Sequence, residues 1–323
     1  MPRHVPVLLI LVLIACASLL GALACGGRML TPGSLFVALL GGGEPLVQTL
    51  VWDLRWPRAM AAFVSGGLLA IAGALMQILL RNPLADPYVL GVSGGASVGA
   101  LLAIVLGAAA GTVSLAAFVG AMLSIGLVLG VAHGTGSWTP NRLLLAGVVL
   151  ASGWGAVISF LLSVATVEGL PGMVHWLMGD LAGVYRAPWL QGVFLVGLAV
   201  LAWPAGRSLN ILALGEQQAE TLGVTVAFWH MVIFIVGALA TAVAVSIVGN
   251  VGFVGLVVPH ILRLSIGNDQ RLLLPGAALL GGSLLVVADA LARTVLAPQQ
   301  LPVGVITAFL GVPLFLWLLR RSR

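Results

Sequence analysis

Apolar residues run in long stretches along this chain and do not alternate with polar residues. Each stretch is about 20 residues long, the length that a helix needs to cross a bilayer, and strand-like alternation is missing. The pattern predicts an all-α polytopic membrane protein with about ten transmembrane helices, forming a single domain over residues 1–323. The predicted spans are Val5–Ala24, Ala59–Leu80, Val89–Ala108, Thr112–Ala132, Leu143–Ala165, Trp189–Leu201, Val226–Val248, Val251–Ile266, Leu272–Leu296 and Val303–Leu319.

Two of these spans depart from the common form. Trp189–Leu201 is short, and Pro204 predicts that the helix ends there. The apolar run over residues 225–266 is twice the usual length and is interrupted by "GNVGFVGLVVPH". We expect two helices joined at a glycine-rich break. Irregular backbone at that depth has to be buried in protein or line a cavity.

Composition excludes several classes of function. The chain is 61% hydrophobic and 7% charged, whereas a soluble domain carries roughly 25% charged residues, so it cannot cover a soluble surface. All fourteen basic residues are arginines. A P-loop needs a lysine after its glycines, so this chain is not itself a P-loop ATPase. The arginines are scattered and do not form the basic stripe of a nucleic-acid-binding protein.

The arginines also predict an orientation. With a cytoplasmic N-terminus and an uncleaved first helix, nine arginines lie inside and five outside, as the positive-inside tendency favours. Both termini are then cytoplasmic. The inside set is Arg3, Arg81, Arg142, Arg207, Arg263, Arg271, Arg320, Arg321 and Arg323; the outside set is Arg28, Arg55, Arg58, Arg186 and Arg293.

A polar segment, "LNILALGEQQAETLGV", interrupts the apolar pattern on the predicted cytoplasmic side. Ser208 can cap a short helix over Leu209–Leu214, and a second short helix over Glu216–Leu222 can end at Gly223. Leu209, Leu212, Ala219 and Leu222 would supply apolar contacts, while Glu216 and Glu220 face outward. Lipid headgroups attract lysine and arginine, so these two acidic side chains argue against a contact with the membrane surface. The segment is therefore a site for a protein partner or an ordinary loop.

Three further motifs carry polar residues. In "RNPLADPYVLGVSGGAS", Asp86 can cap the structure that follows, and the glycines either open an anion-binding helix terminus or allow tight packing. His260 lies among apolar residues, so we interpret it as structural and not as a metal ligand or proton relay. Asp289 and Arg293 lie four residues apart and can pair on one helix. Arg55 and Arg58, at the outer end of the second span, suggest either an acidic docking partner or ordinary loop charge.

Small residues at four-residue spacing predict close helix packing. They are Gly91, Gly95 and Gly99 in one span, and Gly126 and Gly130 in the next.

Taken in order, the motifs resemble those of one family. "RWPR", "RNPLADP", "GVSGGA", "RLLLAG", "LGEQQAETLG", "GFVGLVVPHILR", "ADALAR" and "LPVGVITAFLGVPLF" resemble the FecCD-type permeases of bacterial ABC importers for iron–siderophores, haem and cobalamin. The resemblance implies an ABC type II importer permease fold in the inner membrane and a homodimer with the pathway at its interface. It also implies two copies of a separate ATPase and a periplasmic binding protein.

The resemblance further implies roles for particular residues, none of them catalytic or metal-binding. ATP and Mg²⁺ would bind to the ATPase and no cofactor to this chain. Coupling to the ATPase falls on Leu209, Leu212, Leu214, Gly215, Glu216, Glu220, Leu222 and Gly223; docking of the binding protein falls on Arg55, Arg58 and Arg293; the cytoplasmic gate candidates are Asn82, Leu84, Thr139 and Asn141.

One alternative from another class stays open. A secondary transporter driven by an ion gradient can use broken helices at its binding site, and the "GNVGFVG" break would fit it. The near absence of acidic residues in the spans argues against that mechanism. Of the three chelate classes, cobalamin and ferric siderophores rank together ahead of haem.

Overall fold

The computed structural model describes residues 4–132 and 139–321. Their secondary structure consists of helices, turns and loops, without any strand. The predicted all-α fold is therefore confirmed. The helices are α1 (His4–Ala24), α2 (Pro32–Leu39), α3 (Pro45–Gln48), α4 (Trp56–Leu79), α5 (Val92–Val105), α6 (Ala110–Ala132), α7 (Pro140–Ser163), α8 (Leu170–Leu177), α9 (Trp189–Leu212), α10 (Glu216–Thr221), α11 (Val226–Val248), α12 (Val254–Ile266), α13 (Gln270–Thr294) and α14 (Val303–Arg321). A π-helical stretch (Thr49–Arg55) joins α3 to α4, and a 3₁₀ turn (Pro87–Leu90) precedes α5.

The number of membrane-spanning helices agrees with the approximate expectation. Within the described residues, seven helical segments are long and apolar enough to cross a membrane, and three shorter apolar helices cover residues 92–105, 254–266 and 303–317. The second span is longer than predicted, because α3, the π-helical stretch and α4 form one continuous segment from Pro45 to Leu79.

Helix α4 is the centre of the fold. It packs against α13, α11, α12 and α9, and almost every residue from Pro57 to Leu79 is buried. Its many alanines and glycines let neighbouring backbones approach on all sides. At Gly66, an added Cβ would lie 2.3 Å from the carbonyl oxygen of Gly281 on α13, so only glycine fits that crossing.

The glycine prediction holds for one pair of helices. Added Cβ atoms at Gly95 and Gly99 would lie 2.4 and 2.2 Å from carbonyl oxygens of α6, so α5 and α6 pack backbone to backbone. The prediction was wrong for Gly126 and Gly130 within this chain, because nothing lies within 4 Å of a Cβ built there. Those two glycines lie on a face of α6 that the described part of the chain leaves uncovered.

Helix α9 differs most from its prediction. It continues through Pro204 to Leu212 instead of ending near Leu201, and no separate helix spans Leu209–Leu214. A proline inside a helix removes one backbone hydrogen bond, which a helix packed against neighbours can tolerate. The last turn of α9 is held because Leu209 and Leu212 are buried. Burial of these leucines therefore outweighs the break that proline favours.

The break between α11 and α12 matches its prediction. Residues 249–253 are not helical, and Gly249 and Phe253 both have positive φ angles. The Tyr88 hydroxyl donates to the Val251 carbonyl oxygen (2.9 Å) and accepts from its amide (3.1 Å). The Asp180 amide donates to the Val248 carbonyl oxygen over 2.9 Å. At Val251 the irregular backbone is therefore buried in protein and both of its polar groups are paired, as the membrane requires.

Candidate functional site

Residues 208–223 lead from the last turns of α9 towards α11. They are here called the coupling segment, after the role that the family resemblance predicts for them. Leu209 and Leu212 belong to the last turn of α9, and Gly215 adopts a φ of 126°, a conformation that favours glycine, just before α10 begins. Gly223 has a φ of 78° and follows the end of α10. The predicted second short helix is confirmed, with bounds Glu216–Thr221. The predicted first one is wrong because its residues extend α9.

The coupling segment has a buried side and an exposed side. Ala219 is fully buried against the fold, whereas Leu214 and Leu222 are 63% and 60% exposed, and Glu220 is exposed between them. The apolar contacts predicted for Leu222 stay a prediction, because the described fold leaves most of its side chain uncovered. Two exposed leucines flanking an acidic residue form an apolar and acidic surface, here called the α10 surface. A surface that exposes apolar side chains next to an acidic one is typical of a contact with a protein partner.

Three polar contacts join the coupling segment to the rest of the fold. The Asn210 side chain donates to an Asp269 carboxylate oxygen and accepts from the Gln270 amide, both over 2.8 Å. Asp269 also caps α13, so the end of α9 and the start of α13 share one hydrogen-bonded junction. Glu216 forms an ion pair with Arg81, two residues beyond the end of α4. Neither long-range partner was evident from the sequence, because each comes from a distant part of the chain.

The loop after α4 contains two of the gate candidates. The Asn82 side chain accepts a hydrogen bond from the Leu84 amide (2.9 Å), and Leu84 is 43% exposed. Asp86 caps the 3₁₀ turn by accepting from the Tyr88 amide (2.8 Å), as predicted. Burial raises the pKa of the Asp86 carboxyl, and the hydrogen bond from Tyr88 partly offsets that rise. The loop is therefore ordered by its own side chains.

The other two gate candidates begin α7. Thr139 is the N-cap position with extended backbone and is half-buried, and Asn141 is exposed. They lie at the end of a different helix from Asn82 and Leu84.

The glycine-rich start of α5 is tightly packed. The Ser124 hydroxyl donates to the Gly91 carbonyl oxygen (2.9 Å) and accepts from the Trp154 indole (3.0 Å). Of the two readings left open by the sequence, these contacts favour tight packing over an anion site.

At the opposite end of α4, two arginines pair with Asp289, which is 1% exposed. Arg58 donates to Asp289 from Nε (2.9 Å) and lies 2.8 Å from it through Nη2. Arg293 Nε lies 3.1 Å from the same carboxylate, which confirms the predicted pair on α13. Arg58 also donates to the Gln300 side chain over 2.7 Å. We call Arg55, Arg58, Asp289 and Arg293 the arginine cluster.

The arginine cluster also holds the end of α1. Arg55 donates to the Leu23 and Ala24 carbonyl oxygens over 2.7 and 3.0 Å, and Arg293 donates to the Ala22 carbonyl oxygen over 3.3 Å. Guanidinium groups at a helix C-terminus satisfy its free carbonyls and oppose its partial negative charge. All three arginines are less than 10% exposed, so the structure gives them an internal role that their predicted docking role did not include.

A cavity of about 440 Å³ nevertheless opens beside the arginine cluster. Its lining includes all three arginines together with Tyr185 and Gln300. The cluster carries three positive charges and one negative charge, so this cavity is electropositive.

His260 has a buried Nε2 without a hydrogen-bond partner, and its ring lies 6.4 Å from that of Phe315. These contacts suit the structural interpretation. Within residues 4–132 and 139–321, no group of three or more histidine, cysteine, aspartate or glutamate side chains is placed to hold a metal ion.

Comparison with known proteins decides the family. The sequence profile of the FecCD transport family matches residues 8–321, nearly the whole chain. This protein belongs to the FecCD transport family. The expected resemblance is therefore confirmed, and the chain is a transport permease and not an enzyme.

Relatives and solved structures agree with this assignment. The chain is 40% identical to the vitamin B12 import system permease protein BtuC of Escherichia coli O9:H4 (strain HS) over 322 residues, covering 98% of this chain and 95% of the relative. It has the same identity and coverage with the BtuC of Escherichia coli strain ATCC 8739. A metal-chelate type ABC transporter solved in an inward-facing conformation matches with a TM-score of 0.86 and 27% identity, over 98% of this chain and 99% of the other. The fold is thus that of an ABC type II importer permease.

Proposed function

We propose that this chain is the transmembrane subunit of an ATP-driven importer that moves a metal chelate from the periplasm to the cytoplasm. Two copies would form the pathway, two ATPase subunits would bind on the cytoplasmic side, and a periplasmic binding protein would deliver the chelate. ATP and Mg²⁺ would bind to the ATPase. The protein would lie in the inner membrane of a bacterium, with both termini in the cytoplasm.

The α10 surface is the observation that carries this proposal. Leu214 and Leu222 expose about 60% of their surface on either side of the exposed Glu220, while Ala219 anchors α10 to the fold. A short helix gains little stability on its own, so its packed side and its polar junctions have to hold it in place. Once held, it presents a preformed contact to a cytoplasmic partner, and preformed surfaces bind at lower entropic cost.

The exposed face of α7 supports the proposal that two copies of the chain form the pathway. Ser152 and Ser159 are exposed on this apolar helix, together with Leu145 and Val149. Both serines donate to carbonyl oxygens of their own helix, at 3.1 and 2.9 Å. Small and hydroxyl-bearing residues on a membrane helix suit a facing protein surface or a water-filled pathway better than lipid.

The electropositive cavity supports delivery by an acidic partner. Arg55, Arg58 and Arg293 line it although they bond internally, so an acidic side chain entering the cavity would meet a net positive field. Such complementarity steers and orients docking more than it adds affinity.

Cobalamin is the favoured chelate within this proposal. The 40% identity to a vitamin B12 permease over nearly the whole chain supports cobalamin ahead of ferric siderophores and haem. Uptake of cyanocobalamin, ferrichrome and haemin into proteoliposomes, each measured with its own binding protein, distinguishes the three.

Co-purification tests the assembly. The tagged chain, extracted from its native membrane in mild detergent, should retain a P-loop ATPase, and Glu220→Arg should reduce its recovery because it reverses the charge of the α10 surface. Glu168→Arg is the matched control, since Glu168 is an exposed acid in the loop before α8. Loss of ATPase with both variants, or with neither, would contradict the assigned surface. Uptake driven by an ion gradient without ATP would instead support the secondary-transporter alternative.

A further inference from the structure

An ion pair joins the inner end of α4 to the start of α10. Arg81 follows the end of α4 by two residues, and Glu216 is the first residue of α10. We propose that Arg81 is a positioning residue that transmits displacement of α10 to α4 and to the loop that contains Asn82 and Leu84. This inference rests on the proposed function, because it gives the coupling segment a specific contact inside the permease.

The covalent connections explain why this contact matters. Along the chain, α10 is joined to α9 and α11, and it packs against both. Helix α4 is remote in sequence; α9 and α11 pack against it, but a direct influence of α10 on α4 requires a contact through space. Arg81 provides one, and the next residue, Asn82, orders the loop by accepting from the Leu84 amide. A shift of Glu216 that Arg81 follows would therefore move both the end of α4 and this loop.

The backbone of Arg81 is unusual and points to a role for its side chain. Its φ is 46°, in the left-handed region that residues other than glycine and asparagine seldom adopt. Arg81 therefore adopts a backbone conformation that is disfavoured for an arginine. A strained residue of this kind is a reasonable origin for a functional hypothesis when its side chain also makes a specific contact.

A buried histidine on α11 lies close to this ion pair. His230 is near the start of that helix and is 6% exposed. The ion pair thus lies where the ends of α4, α10 and α11 meet.

The strength of the ion pair depends on what covers it. The Arg81 and Glu216 side chains are 44% and 42% exposed, so in the free chain the pair is screened by solvent and changes an equilibrium by about two- to fivefold at most. A partner that docks on the α10 surface would remove water from the pair and strengthen the attraction. Docking would therefore tighten the link between α10 and α4 when it is needed.

The test uses the complex of the full chain with its ATPase in proteoliposomes. A spin label is attached at Leu84→Cys in a Cys16→Ser/Cys25→Ser background, and its spectrum is recorded without nucleotide and after trapping with ATP and vanadate. Arg81→Asn removes the charge while keeping a residue that tolerates the left-handed backbone, which avoids a local folding defect. Arg207→Gln is the matched control, because Arg207 is an exposed arginine near the end of α9.

Arg81→Asn should reduce the nucleotide-dependent change at the label by about two- to fivefold, while bound ATPase and basal ATP hydrolysis stay near wild-type values. Arg207→Gln should leave the change intact. Arg81→Glu and Glu216→Arg should each reduce it, and the double variant should restore it. A purely structural role would lower complex yield without this charge-swap rescue.

Two results would overturn the inference. One is an unchanged label response in Arg81→Asn, and the other is a double charge swap that fails to restore the response. The proposed function fails separately, and takes this inference with it, if the wild-type chain retains no ATPase at all.

Discussion

Replacing Asp289 with asparagine should destabilise the protein more than any other single change of charge near the N-terminal end of α4. Asp289 is 1% exposed and pairs with Arg58 and Arg293, whose side chains are 10% and 8% exposed. Asparagine keeps the shape of the side chain but leaves two buried guanidinium groups without a counter-charge. Removing one partner of a buried pair costs about 3–5 kcal/mol, because the remaining charge stays desolvated.

The exposed pair Arg28–Glu44 is the internal reference. Its atoms are 3.7 Å apart and its side chains are 54% and 70% exposed, so Glu44→Gln should cost about 0–1 kcal/mol. At about 2 °C per kcal/mol for a large domain, Asp289→Asn should lower the midpoint of thermal unfolding by roughly 6–10 °C, and Glu44→Gln by less than about 2 °C. Size-exclusion chromatography of heated, detergent-solubilised protein measures both.

A second variant guards against an accidental packing defect. Adding Arg58→Gln to Asp289→Asn removes one of the two uncompensated charges, so part of the lost stability should return despite a further substitution. If Asp289→Asn is no more harmful than Glu44→Gln, or if the double variant is less stable than the single one, the arginine cluster is not held by charge compensation.

Two further predictions concern backbone contacts. Tyr88→Phe should lower the free energy of unfolding by about 1–3 kcal/mol for each backbone group of Val251 that loses its hydrogen-bond partner. The same heating assay measures this loss, and Tyr185→Phe is the control because Tyr185 is exposed. Gly95→Leu should prevent normal yield of folded protein because its Cβ would lie 2.4 Å from a carbonyl oxygen of α6, whereas Gly126→Leu has open space and should be tolerated. Equal yields of the two leucine variants would contradict the packing of α5 against α6.

The sequence predicted those features that depend on local pattern. Hydropathy located the spans, the four-residue spacing paired Asp289 with Arg293, and Asp86 was recognised as a cap. Each of these follows from helix geometry or from turn chemistry within a few residues. The family assignment followed from the order of several short motifs, and a match over residues 8–321 confirms it.

The features that sequence analysis missed depend on which helices meet. The pairs Arg58–Asp289 and Arg81–Glu216 join residues far apart in the chain, and spacing alone cannot reveal them. The continuation of α9 through Pro204 is a case where tertiary burial outweighed local preference, because Leu209 and Leu212 are buried beyond the proline. The gate roles and the docking roles stay predictions.

The two ends of the segment Pro45–Leu79 differ in a way that bears on movement. At its N-terminal half, Arg55 and Arg58 are more than 90% buried and bond to α1 and α13, so separating these helices would expose buried charge or leave it unpaired. Just beyond its C-terminal end, Arg81 pairs with Glu216 while both stay more than 40% exposed, and water can replace that contact at little cost. Although α4 is buried as far as Leu79, the exposed Arg81–Glu216 contact just beyond it is the easier of the two to break. We therefore expect changes driven through α10 to be larger near Leu84 than near Arg58.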